Sequence, residues 1–140
     1  MVTCVLDTSM TLSFVLADEF TPESERVLNE VARHGALVPT LWDYEVINAL
    51  RSAERRGRMT ELSTANALHG LLGLPIERDS RPLDAQHVLS LCRQHEISAY
   101  DASYIRLALD QDLPLASLDE RMRTVATDIG LDLLALSSLD

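Results

Sequence analysis

Met1-Val2-Thr3-Cys4-Val5-Leu6-Asp7 opens the chain, and Thr3 to Asp7 is the stretch whose reading decides the fold. Thr3 to Leu6 is short and mostly apolar, no helix fits before it, and it stops abruptly on a carboxylate. It reads as a buried first strand. Downstream, Thr21-Pro22-Glu23-Ser24-Glu25 has the makings of a helix start: Thr as N-cap, Pro at the first helical position, acids in the first turn. Val27, Leu28, Val31 and Ala32 keep helical spacing up to Gly35, a suitable terminator. Ala36-Leu37-Val38 reads as a second strand. A helix from about Thr40 to Arg56 follows, with Leu41, Tyr44, Ile47 and Leu50 along one stripe, and Thr60 caps another that runs through Leu71 and Leu72. Leu74-Pro75-Ile76 reads as a third strand, and Pro82 opens a helix containing Val88, Leu91 and Cys92. Ser98-Ala99-Tyr100-Asp101 has a capping-box form at the head of a helix carrying Ala102, Ile105 and Leu109. Leu113 to Leu118 reads as a strand, Asp119 to Ile129 as the last helix, and Leu133 to Leu136 as a final strand. Strands alternating with helices predict an α/β domain whose parallel sheet is covered on both faces.

Composition narrows the class. The 140 residues fit one domain, 1–140, and 46% apolar with 24% charged residues is the balance of a globular protein. No apolar run approaches the ~18–20 residues that span a bilayer, and the N-terminus has no basic segment of a signal peptide. Cys4 and Cys92 lie far apart and read as buried free thiols, so a cytoplasmic location is expected. Asp and Glu total 22 against 12 cations, a formal charge of −10, and every cation is an arginine. Such acidity disfavours nucleic-acid binding unless a local basic patch or a metal ion offsets it.

The placement of the acids supplies the functional hint. In open α/β sheets, ligands sit beyond the carboxyl ends of strands where strand order reverses. Asp7 and Asp119 each follow a predicted strand, while Glu45 and Asp101 sit on helices beside aromatic residues. Each has a plainer reading: Asp101 and Asp119 suit helix caps, and Glu45 suits a solvated helix face. Asp7 has no obvious helix to cap. Four carboxylates gathered in a cleft require protons or a cation, and an all-oxygen site suits Mg²⁺ or Mn²⁺. The four histidines, His34, His69, His87 and His95, lack metal-ligand spacing, which argues against zinc.

Val5-Leu6-Asp7-Thr8-Ser9 resembles the opening of the PIN-domain family, in particular the VapC-type toxins of bacterial toxin–antitoxin pairs. The stretch from Val38 to Leu50, with Glu45 and Asn48 three positions apart, is similar too. So are Ser98-Ala99-Tyr100-Asp101-Ala102-Ser103-Tyr104 and Leu115-Ala116-Ser117-Leu118-Asp119-Glu120-Arg121. The resemblance implies a three-layer α/β/α sandwich around a parallel sheet of about five strands, and a metal-dependent ribonuclease. Asp7, Glu45, Asp101 and Asp119 would be its acidic quartet, holding Mg²⁺ or Mn²⁺. Ser9, Asn48 and Ser117 would be polar neighbours that orient them. It further implies an RNA substrate, a homodimer and a VapB-like antitoxin, facing the helical pair around residues 40–73.

Arg51, Arg55, Arg56 and Arg58 form a candidate phosphate-binding edge, or else a solvated helix end favoured by the dipole. Trp42, Tyr44, Tyr100 and Tyr104 could stack bases, although with so few aromatics most are expected in the core or a dimer face. A phosphorylated receiver domain needs a lysine that this chain lacks, and a haloacid-dehalogenase-type phosphatase needs an Asp where Ser9 stands. The remaining rival is a non-catalytic PIN-like interaction domain.

Overall fold

Strand β1 (Val5–Leu6) has no exposed surface. It lies between β2 (Ala36–Pro39) and β4 (Leu115–Ala116), and β3 (Ile76–Asp79) pairs outside β2. Every pairing is parallel, with Val5 opposite both Leu37 and Leu115 and with Ala36–Pro39 matched to Ile76–Asp79. The order is therefore β3-β2-β1-β4. The chain builds outward from β1 to β3, then returns to the other side of β1 with β4. That reversal opens a crevice at the carboxyl ends of β1 and β4.

The computed structural model describes residues 1–134. Leu133 makes an isolated parallel bridge to Leu115, at the point where the fifth strand was expected; residues 135–136 of that strand lie outside the described residues. The four described strands, flanked by helices, make the expected α/β architecture.

Local chemistry explains most helix boundaries. Thr21 caps α2 (Pro22–His34) by accepting from the Ser24 amide, and Thr60 with Ser63 forms a reciprocal capping box on α4 (Glu61–Leu72). Helix α3 (Leu41–Arg55) lies close to the expected span. Helix α5 (Ala85–His95) starts later than Pro82, because Asp84 accepts from the His87 amide and so fixes the N-cap two residues on. Strand β3 is also shifted, beginning at Ile76 and running through polar Glu77–Asp79. An edge strand needs only one covered side and tolerates such residues. Ser98 caps α6 (Ala99–Gln111), which packs across β2, β1 and β4 with Ala102, Ile105 and Ala108 fully buried. Asp119 caps α7 (Glu120–Asp128).

One helix was not anticipated. Helix α1 (Thr8–Ser13) starts directly after β1, with Asp7 as its N-cap accepting from the Met10 amide at 3.0 Å. Asp7, which had no obvious helix to cap, thus caps one after all. Four of the six α1 residues, Met10 to Ser13, are buried, so no polar face marks the helix in the sequence.

Gly35 ends α2 at φ 84°, ψ 172°, a region open essentially to glycine, and a Cβ there would meet the Pro75 carbonyl oxygen at 2.7 Å. Gly35→Ala is expected to lose about 1–3 kcal/mol of stability, read from the urea midpoint. An unchanged midpoint would mean that the α2–β2 junction relaxes freely.

Cys4 and Cys92 are both free, as expected. Cys4 is buried, and burial pushes its thiol up to about 12, whereas Cys92 is only half-buried. Among the described residues no helix is long and apolar enough to cross a membrane.

Candidate active site

Asp7 stands at the end of β1, 5% exposed, and both of its carboxylate oxygens are held by hydroxyls. Ser9 donates to Oδ1 at 2.7 Å, and Ser117, just beyond β4, donates to Oδ2. With their hydrogens committed to Asp7, these hydroxyl oxygens accept backbone amides: Leu118 to Ser9 at 2.9 Å and Asp119 to Ser117 at 3.1 Å. The ends of the two strands are thus joined through one carboxylate. The Asp7 amide also donates to the Ala116 carbonyl, and Arg123 donates to the Ser117 carbonyl at 2.6 Å.

Burial pushes the Asp7 carboxyl up to about 6, although three hydrogen bonds oppose the rise; the charge of Asp119 adds to it. Desolvation outweighs the donors because so little water reaches the group. Ser117→Ala removes the Oδ2 donor and should raise the Asp7 pKa by about 1 more, read by carbon NMR of the metal-free protein. No change would show that Ser117 positions the loop without stabilising the charge.

Glu45 is not the solvated helix acid of the plainer reading. Thr8 donates to its Oε1 at 2.9 Å, and the Tyr104 hydroxyl donates to the same oxygen at 2.7 Å. Both bonds fall on Oε1, so Oε2 accepts none from the described residues. Burial, then the hydrogen bond to Glu45 and the charge of that group, pushes the Tyr104 hydroxyl far up, so it remains a protonated donor. Asp101, in the first turn of α6, is half-buried; burial raises its carboxyl, and the charges of Asp119 and Glu45 raise it further. Asp119 is exposed, with Oδ1 engaged by the Met122 amide.

The four expected acids therefore act on one another as charges, Asp7 with Asp119 and Asp101 with both Asp119 and Glu45. Among the described residues, however, no three Asp, Glu, His or Cys side chains stand close enough to form a ready metal cage. The donor chemistry fits a hard divalent cation: the acids offer oxygens only, and the raised pKa values of Asp7 and Asp101 come from burial and from other carboxylates. A cation in their midst would relieve both effects.

Ser9 and Ser117 touch Asp7 as the motifs suggested, while Asn48 lies exposed one turn after Glu45. Thr8 and Arg123 were not singled out as site residues, and Tyr104 was weighed only for stacking bases. Tyr104 had a usable signal, lying three residues after Asp101 on one helix face. Asp43 turns away to a two-bond pair with Arg78. Trp42 and Tyr104 are 1% exposed and belong to the core, whereas Tyr44 and Tyr100 are exposed. Of the four arginines, Arg51 pairs with Glu54 and Arg58 with Asp18 and Glu19.

A parallel sheet flanked by helices, with carboxylates at the carboxyl ends of its strands, defines an α/β protein with an acidic cleft at the point of strand reversal. The chain belongs to the PIN domain family, which matches residues 4–128. PIN domains are typically metal-dependent nucleases. No curated protein matches the sequence. A crystal structure of PAE2754 from Pyrobaculum aerophilum is similar at TM-score 0.66 and 22% identity, covering 89% of this chain and 86% of that one. That likeness concerns the fold.

Proposed function

We propose that the chain is a VapC-type ribonuclease that hydrolyses RNA phosphodiester bonds at Asp7, Glu45, Asp101 and Asp119. The observation that carries this reading is Asp7, a buried carboxyl at the strand reversal whose charge is coupled to that of Asp119. A buried acid at such a point is unfavourable for a purely structural role and useful for holding a cation.

The four acids would hold Mg²⁺ or Mn²⁺. When bound, the ion neutralises the site, lowers the pKa of water and stabilises charge in phosphoryl transfer. Ser9 and Ser117 fix the Asp7 oxygens, and Thr8 with Tyr104 fixes one oxygen of Glu45. An acid with raised proton affinity, as Asp101 has, suits accepting the proton of the attacking water. The resemblance also supports a homodimer and neutralisation by a VapB-like antitoxin. An arginine from such a partner would be favoured in this acidic cleft.

Cleavage of total RNA in Mn²⁺ tests the reading, comparing wild type with Asp7→Asn, Glu45→Gln, Asp101→Asn and Asp119→Asn. Each variant is expected to lose about 100-fold or more, the scale seen when an electrostatic contributor is removed. Wild type that cleaves no RNA spared by Asp7→Asn would overturn it. A partner protein bound equally by all five chains, with no cleavage by any, would favour the interaction-domain alternative.

A further inference from the structure

Glu45, Ala49, Ser52 and Arg56 are three or four residues apart on α3 and at its C-cap, and so share one face. Ala49, Ser52 and Arg56 of that face border a groove of about 240 Å³, which Thr8 and Ser9 also line. Thr8 bonds Glu45 and Ser9 bonds Asp7, so the groove begins where the acids are held. Arg58 and Glu19 also border it, but they pair with each other at 2.7 Å. Arg51 is paired with Glu54. Arg56 is exposed and has no carboxylate partner among the described residues, which leaves it as the uncompensated charge of the groove.

We propose that this groove carries the RNA strand leaving the acidic site, with Arg56 contacting a backbone phosphate. The inference rests on the ribonuclease reading above. A chain of formal charge −10 repels RNA at long range, so the strand needs a local cation along its exit. Ala49 and Ser52 keep the wall low, and no aromatic side chain lines the groove, so contact falls on the backbone and not on stacked bases. Arg56 follows Glu45 by eleven positions, about 16 Å along the helix axis. The phosphate met by Arg56 is therefore not the reacting one, and the residue acts on binding more than on chemistry.

The test uses a fluorescein-labelled, unstructured RNA oligonucleotide bound to the Asp7→Asn chain in Mg²⁺ over a range of KCl. Adding Arg56→Glu should weaken binding about tenfold and lower the salt slope by roughly 0.7, the share of one single-strand phosphate. In the cleaving chain Arg56→Glu should raise KM about tenfold and leave kcat within about twofold. Ser52→Trp, which fills the groove without changing charge, should also raise KM. Arg33→Glu supplies the same charge change on the last turn of α2, before the amino end of β2, and should alter neither quantity. Equal effects of Arg56→Glu and Arg33→Glu would overturn the groove assignment while leaving the ribonuclease reading intact. Wild type that cleaves no RNA in either metal overturns that reading, and the groove assignment falls with it.

Discussion

Asp7→Asn should unfold later than wild type at neutral pH in EDTA, while its RNA cleavage disappears. The folded protein holds the Asp7 carboxyl at about 6, against an ordinary value of 3.8. Because the folded value is the higher one, folding favours the protonated acid. That stabilisation is complete below pH 3.8 and is lost as pH rises through about 6. Above that window the ionised wild type carries a burden of up to about 3 kcal/mol that a neutral amide does not. Asparagine caps helices about as well as aspartate, so α1 keeps its start. The expected result is a metal-free variant more stable by roughly 2–3 kcal/mol at pH 7.5 and little changed near pH 4, measured by calorimetry. Mn²⁺ should then stabilise wild type and not the variant, since only a ligand of the folded state shifts the transition. A variant less stable than wild type at pH 7.5 would show that the hydrogen bonds of Asp7 outweigh its burial. The gain in stability with loss of activity is the exchange expected where a strained charge serves function.

Trp42→Ala should be the most damaging single change in the core. The indole is 1% exposed, and its N–H donates to Thr11 Oγ1 at 3.0 Å. Thr11 in turn donates to the backbone oxygen of Asp7 at 2.7 Å. One side chain on α3 thereby fixes α1 and, through it, the end of β1. The Arg78 guanidinium covers the ring at 5.3 Å from its centroid. Truncation leaves a large cavity, with an expected loss of about 3–5 kcal/mol from a total of about 5–15 for a domain of ordinary stability. Urea unfolding followed by far-ultraviolet circular dichroism measures it, because Trp42 is the only tryptophan and its fluorescence is lost with it. Trp42→Phe keeps most of the volume and should lose only the indole hydrogen bond and part of the packing, about 1–2 kcal/mol. Equal losses for the two variants would place the effect in the hydrogen bond and not in packing.

Much of the site was legible because its acids sit at changes of pattern. Asp7 interrupts an apolar run, Asp119 follows one, and Asp101 lies three residues after a capping serine. What holds those acids was harder to read. The hydroxyls of Thr8 and Tyr104 meet Glu45 across 37 and 59 residues, and a separation of that size leaves no periodic trace. The arginine cluster looked uniform as a charge run, yet two of its four members are committed to carboxylates, one pairing formed across about 40 residues.

From the sequence alone came the α/β alternation and most helix starts, since capping and helical spacing act over three or four residues, and, through the motif resemblance, the four candidate acids. Tertiary structure decided the strand order, the existence of α1 and the pairing of Asp7 with Ser117. A strand of two residues or a buried six-residue helix has too little local preference to declare itself. Each forms because partners distant in the chain remove it from water and satisfy its backbone, and those partners are specified only when the whole core assembles.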